Sequence, residues 1–369
     1  MALASAVPVF LTGLAAALGY AYAVYPIREH MGNVARIESL GPLISDDETV
    51  RRGLLEVYYE DSGLDVDSFE QVAWTVPSVM TPFVGYAPAP GRHSNAYITP
   101  RQFRGRKELA TPKPTGVTRI FLTGASTAFS VGASSDDRTI GGYLQSVLDR
   151  RAADDGRRYE VFTFAAPAWS STHERIAIEN RISDFEPDLV IELTGTADCL
   201  YGQAGRNVLW GRAFIDNYYW RLVNIALGRG RLRQMKDVQD ASRGSVPAST
   251  VAARLRKNVQ LGAMALSLVD ARLHVFLQPD LFTTAKALTP RERAFFSPSD
   301  RVKPDYYREC SRKIGELLGS SGIPANASFT NLHPVFDETP QTEEIFLDSF
   351  HFGDRGNLII AQAMVDAIL

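Results

Sequence analysis

The 369-residue chain is predicted to fold as α/β, in three layers (α/β/α) with about five parallel strands, preceded by an N-terminal transmembrane helix. Three observations carry this. From residue 117 onward, short apolar β-rich runs alternate with stretches of helical period, a spacing that specifies right-handed crossovers and a parallel sheet covered by helices on both faces. The run Leu189-Val190-Ile191 has no polar side, as expected of a strand buried on both faces. From Ala2 to Ile27 there is no Asp, Glu, Lys, Arg or His, and about 20 apolar residues suffice to cross a bilayer as a helix.

Residues 1–27 are therefore a transmembrane anchor or signal segment. Ala21-Tyr22-Ala23 is similar to a signal-peptide cleavage site, but the charged n-region that such a peptide carries is missing, so an anchor is the preferred reading. Arg28 and Arg36 follow the span and no Lys or Arg precedes it, a count that leans toward a cytoplasmic C-terminal part. Residues 28–114 read as a helical and extended linker. Asn33 to Tyr59 is polar and partly helical, and the Pro- and Gly-rich passage Pro82 to Pro114 favours extended structure, as in a strap lying along the main domain.

The main domain is expected over 115–369. Val117 to Thr123 is its first strand, Thr139 to Arg151 a helix, Tyr159 to Phe164 a second strand, Thr172 to Phe185 a helix and Asp188 to Leu193 a third strand. An insertion over about 201–245 carries Arg221, Arg229, Arg231, Arg233 and Lys236. A solvated face is the first reading of that cluster, and a membrane-surface or anionic-glycan contact the second. Leu273 to Leu277 is the fourth strand, Tyr306 to Leu318 a helix, Phe329 to Leu332 a short fifth strand and Leu358 to Leu369 the closing helix.

A net charge of −3 gives no indication of a nucleic-acid partner. Cys199 and Cys310 are too few for a disulfide framework and lack zinc-site spacing, so buried thiols are expected. His30, His93, His173, His274 and His333 are scattered without metal-ligand spacing, and no G-x-G-x-x-G or Walker motif follows a strand. No metal or cofactor is expected, and a nucleotide-binding protein is disfavoured.

In an open parallel sheet, ligands bind beyond the carboxyl ends of the strands. Five polar loops fall there: Ser126 after strand one, Pro167-Ala168-Trp169-Ser170-Ser171 after strand two, Thr194-Gly195-Thr196-Ala197-Asp198 after strand three, Gln278-Pro279-Asp280 after strand four, and Asp348 with His351 before the last helix. A serine hydroxyl is a poor nucleophile until a base takes its proton, and an imidazole is a good base when a third group fixes its tautomer. Ser126, His351 and Asp348 fill these three roles. The run Gly124-Ala125-Ser126-Thr127-Ala128 lacks the second glycine of a G-x-S-x-G elbow, and the acid lies only three residues before the histidine, which separates the pattern from the α/β-hydrolases.

On these residues the chain resembles the SGNH (GDSL-like) hydrolase superfamily, a three-layer, flavodoxin-like fold. Phe121-Leu122-Thr123-Gly124-Ala125-Ser126 is similar to its first block and Asp348-Ser349-Phe350-His351 to its last. Thr163-Phe164-Ala165-Ala166-Pro167-Ala168-Trp169-Ser170-Ser171 is similar to the second block, and Gly195-Thr196-Ala197-Asp198 sits where the third has Gly-x-Asn-Asp. The N-terminal span and the Phe103-Arg104-Gly105 strap look most like the membrane-anchored bacterial members associated with surface polysaccharide.

The resemblance implies Ser126 as nucleophile, His351 as general base and then acid, and Asp348 as its orienting partner. It also implies an oxyanion hole from the backbone N–H groups of Ser126 and Ala165, with the third donor lost because Ala197 replaces the asparagine. Thr196, Asp198, Trp169 and Gln278 are candidates to line the substrate site, although for Trp169, as for Trp210, core or surface packing is the first reading and ring stacking on a sugar the second. The implied activity is that of an esterase or O-acyltransferase on an acylated glycan, held to the membrane with its catalytic domain outside the cytoplasm. The alternative is a glycan-binding or assembly protein that kept the fold and lost the rate.

Overall fold

The computed structural model describes residues 76, 78–93, 95–205, 244–294, 303–320 and 322–369. The expected span at 1–27 and the basic cluster between Arg221 and Lys236 lie outside the described residues. Among the described residues no helix is long and apolar enough to cross a membrane.

Two small hairpins come first, β1 (Ser78–Thr81) with β2 (Gly85–Pro88), and β3 (Gly91–Arg92) with β4 (Tyr97–Ile98). The central sheet contains β5 (Val117–Gly124), β6 (Arg158–Thr163), β7 (Leu189–Thr194), β8 (Arg272–Leu277) and β9 (Ala327–Asn331). All are parallel, in the order β6-β5-β7-β8-β9. The helices are α1 (Ser126–Phe129), α2 (Ile140–Asp155), α3 (Ser171–Ala177), α4 (Thr196–Gln203), α5 (Ala248–Ser267), α6 (Pro290–Ala294), α7 (Pro304–Gly319) and α8 (Asp354–Ile368).

Strand alternation sends successive side chains to opposite faces. Phe121, Phe162, Val190 and Val275 enter one core with Val251, Leu255 and Val259 of α5 and Ile314 of α7. Leu122, Ile191 and Phe276 enter the other with Leu144 of α2 and Ile360 and Met364 of α8. The helical residues recur at three- and four-residue steps, which gives each helix one apolar stripe toward the sheet.

The strap is part of the first core. Tyr86, Phe103 and Leu109 are buried in it, and the Phe103 ring lies 5.6–5.9 Å from those of Phe121, Phe162 and Phe164. Burying one such side chain stabilises by about 1.5–3 kcal/mol, so detaching the strap costs several such terms. Arg104 N–H donates to Thr163 O (3.0 Å), covering the exposed edge of β6. The fully buried Arg119 guanidinium donates to Glu160, to Phe185 O (2.7 Å) and to Ala110 O (2.8 Å), joining strap and sheet.

Cys199 on α4 and Cys310 on α7 were expected as separate buried thiols; they form a disulfide, with Cα atoms 5.8 Å apart. Their separation of 111 residues gives no local spacing signal, and only the packing of α4 against α7 brings them together.

Candidate active site

Strand β5 ends at Gly124, whose φ of +151° and contacts allow no side chain, since a Cβ there would lie 2.4 Å from Leu193 O. This close approach to β7 lets the chain turn at once through Ala125 into α1, and Ser126 is the first residue of that turn. Ser126 is partly exposed while Thr127, Ala128 and Phe129 are buried, so the hydroxyl stands on the rim above a fixed base.

The partner loop runs from Ile345 to Phe352. Its entry is held by Glu292 on α6, which accepts from Ile345 N–H (2.9 Å) and forms a fully buried ion pair with Lys286 (2.8 Å). Its two ends join through the Phe346–Phe352 bridge, with Leu347 N–H donating to His351 O (2.8 Å). Inside it, Asp348 Oδ1 accepts from Phe350 N–H (2.7 Å) and His351 N–H (2.9 Å). Asp348 Oδ2 lies 2.7 Å from His351 Nδ1, and His351 Nε2 lies 2.7 Å from Ser126 Oγ. An ionised carboxylate has only lone pairs to offer, so it fixes the imidazole proton on Nδ1. Nε2 is then an acceptor, and the Ser126 hydroxyl donates to it.

The three expected groups are thus assembled in hydrogen-bonded sequence. The other described histidines are committed elsewhere. His173, His274 and His333 are each pushed down to about 4 by burial and pair with Ser170, with Thr330 and Ser328, and with Ser311, while His93 contacts Ala89 O.

Ala166 N–H donates to Gly124 O (3.3 Å), holding the 164–166 turn against the loop that carries Ser126. Neither Ala165 N–H nor Ser126 N–H has an acceptor among the described residues. Ala197, partly exposed in the first turn of α4, carries no side-chain donor.

The four expected lining residues lie behind this rim. Trp169 is wholly buried, at 0% accessible, and its indole N–H donates to Tyr86 O (3.0 Å). The strap covers it, so of the two readings of Trp169 the structure shows core packing and not a place in the lining. Asp198 is also fully buried and accepts from Ser171 N–H (2.9 Å) and Ser171 Oγ (2.7 Å), tying the second-block loop to α4. Thr196 Oγ donates to Asp280 Oδ2 (3.4 Å), and buried Gln278 donates through Nε2 to Phe350 O (3.3 Å), beside His351. These two position the rim from below.

Sequence reading missed an acidic cluster under the rim. Glu192 on β7 and Glu174 on α3 are buried beside Asp198; burial and the neighbouring carboxylates hold Glu174 well above the usual range, and burial raises Glu192 to about 7. Neither Glu174 oxygen, nor Glu192 Oε2, has a hydrogen-bond partner among the described residues, so burial without compensation favours the neutral acid. The available signal was a glutamate inside the otherwise apolar Leu189-Val190-Ile191-Glu192-Leu193. Burial alone also lifts Asp280 to about 7 against the hydrogen bonds it accepts.

No family model matches the chain. Among curated proteins, the cytoplasmic cysteine–tRNA ligase of Xenopus tropicalis is 23% identical over 236 residues, which are 59% of this chain and 28% of that protein. The chain thus spans little more than a quarter of that relative's length, and at this identity the match assigns no family.

Among solved structures, similarity is found to the acetyl xylan esterase AlAXEase (15% identity, 68% of this chain and 100% of that one, TM-score 0.40). It is also found to the lipase Lip_vut3 from a goat rumen metagenome (11%, 68% and 97%, TM-score 0.42), and to a variant of an acetyl-xylooligosaccharide esterase from Geobacillus stearmophilus (14%, 68% and 93%, TM-score 0.38). These scores carry no argument about activity. What the fold and the site define is a serine–histidine–aspartate centre on the carboxyl rim of a five-stranded parallel sheet.

Proposed function

We propose that this chain is an SGNH-type serine ester hydrolase or O-acyltransferase that works through an acyl-enzyme on Ser126. The observation that carries the reading is the pair of 2.7 Å contacts linking Ser126 Oγ, His351 and Asp348. Ser126 Oγ attacks the ester carbonyl as its proton passes to His351 Nε2, and Asp348 stabilises the imidazolium. The Ser126 and Ala165 N–H groups receive the tetrahedral oxyanion. Collapse breaks the ester C–O bond, the imidazolium protonates the leaving alkoxide, and the acyl group stays on Ser126. Water or a sugar hydroxyl then gives its proton to His351 and attacks the acyl carbon, releasing the acid or a new ester and restoring Ser126.

The substrate proposed is an acylated cell-surface or exported glycan, with residues 1–27 holding the chain to the membrane and the catalytic domain outside the cytoplasm. The Cys199–Cys310 disulfide supports that location, because such bonds persist in oxidising compartments. Treating the full chain with a fluorophosphonate probe, beside Ser126→Ala, tests the nucleophile: labelling lost in the variant supports the reading, and absence of Ser126-dependent labelling sinks it. Hydrolysis of an acyl donor without any acceptor sugar favours the esterase over the transferase.

The methyl of Ala197 motivates a second reading, a glycan-binding or assembly protein of low catalytic rate. Under it, Ser126→Ala leaves polysaccharide production in cells intact; a loss equal to that of gene deletion, at unchanged protein level, rules it out.

A further inference from the structure

A cavity of about 640 Å³ lies between the strap and the start of α2, apart from the triad. We propose that it binds the carboxylate of an acidic saccharide, serving as a subsite that holds the polymer beside the acyl-transfer centre. The idea rests on the acyl-transfer reading for its role, though not for the binding itself.

Four cations line the cavity, Arg92, Arg104, Arg106 and Lys107, against two carboxylates, Asp136 and Asp137. Asp136 is already engaged, accepting from Arg104 Nε (3.1 Å) and Tyr97 N–H (2.9 Å). The Arg104 side chain is only 2% exposed. It donates through Nη1 to Phe129 O (2.6 Å) and Ser130 O (2.8 Å), while Nη2 has no acceptor among the described residues. Arg92 and Arg106 are exposed and have no carboxylate partner among the described residues, and Lys107 Nζ donates to the neutral Gln145. The excess is therefore positive, and a concave, partly desolvated wall concentrates that field. Guanidinium groups match a planar carboxylate through paired N–H donors.

The size of the cavity decides between a lone oxyanion and a larger ligand. Its volume falls within the range of small-molecule sites, far above what one free anion fills. Tyr97 adds a ring, with Arg106 packed 5.8 Å from its centroid, of the kind that meets the face of a sugar. The cavity also joins the catalytic rim along the backbone. Thr163 forms part of its wall, and two residues later Ala165 offers its N–H to the oxyanion.

The test uses the full chain carrying Ser126→Ala, so that no chemistry intervenes, with titration calorimetry against an oligouronate, a neutral xylo-oligosaccharide of equal length and inorganic phosphate. The oligouronate should bind, more weakly as salt rises, and the neutral sugar should bind far less. Adding Arg92→Ala and Arg106→Ala should weaken oligouronate binding about 2- to 30-fold, the range expected for two exposed charge contacts. Arg92→Lys with Arg106→Lys should recover part of it, which separates lost charge from lost fold.

Equal oligouronate affinity with and without the arginines overturns the proposal, as does binding of none of the three ligands. Phosphate binding as tightly as the oligouronate also overturns it, in favour of a small-anion site. Fluorophosphonate labelling of Ser126 in the arginine variants, made without Ser126→Ala, should be unchanged. A chain that binds the oligouronate but never labels refutes the serine mechanism and leaves the subsite standing.

Discussion

Replacing Asp348 by asparagine separates two functions that the structure gives one side chain. Oδ1 closes the 348–351 turn by accepting from two backbone N–H groups, at 2.7 and 2.9 Å, and the asparagine carbonyl can do the same. Oδ2 faces His351 Nδ1 at 2.7 Å, and there the substitution puts an NH2 group. The amide now donates to Nδ1, which moves the imidazole proton to Nε2 and points it at Ser126 Oγ. A ring in that tautomer cannot take the serine proton. In a hydrogen-bonded triad this error costs about 10⁴ in rate, about 5 kcal/mol of barrier, with little change of geometry.

Asp348→Ala should behave differently. It removes the tautomer control and leaves two N–H groups of a buried turn without their acceptor, at about 1–3 kcal/mol each. The assay is the second-order rate of fluorophosphonate labelling at neutral pH, with thermal unfolding measured on the same samples. Asp348→Asn should label about 10⁴-fold more slowly with a near-native Tm, and Asp348→Ala should lose Tm as well. Labelling of Asp348→Asn within tenfold of wild type would refute the assigned role of Asp348, as would a Tm loss equal to that of the alanine variant.

Ala197→Asn places an amide at the half-exposed first turn of α4 and should raise the labelling rate by up to about 10²-fold; an unchanged rate means that another group already donates there. Gly124→Ala forces a Cβ to within 2.4 Å of Leu193 O at φ +151°, so a loss of about 1–3 kcal/mol in urea unfolding should accompany slower labelling; wild-type stability would contradict the tight turn. The Asp280 carboxyl, raised to about 7 by burial, titrates near 4 in the unfolded chain. Between those values the folded state holds a proton that the unfolded state has lost, so this group's contribution to stability falls as pH rises through the window and is flat above it. Asp280→Asn keeps the carbonyl that accepts from Phe282 N–H (3.0 Å), and should therefore gain stability on wild type between pH 5 and pH 8; parallel urea curves at the two pH values would show the opposite.

The sheet and the triad were legible because each is written in local pattern. Apolar runs of strand length alternate with helices, and the turn Gly124-Ala125-Ser126 and the spacing from Asp348 to His351 are short-range signals whose chemistry is specific. What escaped depends on contacts between distant segments. The strap's composition shows that it is extended, but only its docking reveals that Phe103 packs at tilted and edge-on angles among Phe121, Phe162 and Phe164, or that it buries Trp169. Cys199 and Cys310 carry no trace of each other across 111 residues.

The same distinction explains where the second site lies. By sequence Arg104 is one of several basic residues in the strap, beside Arg101, Arg106 and Lys107; folded, it is held by Asp136, Phe129 O and Ser130 O, one turn beyond Ser126. The Arg104 guanidinium is thus anchored to the α1–α2 loop and lines a cavity whose wall includes Thr163, at the end of β6. Strap, nucleophile turn and second-block turn are one packed unit. Substrate orientation should therefore depend on residues that precede the first central strand, in a region where sequence pattern predicts a linker or strap but none of its contacts.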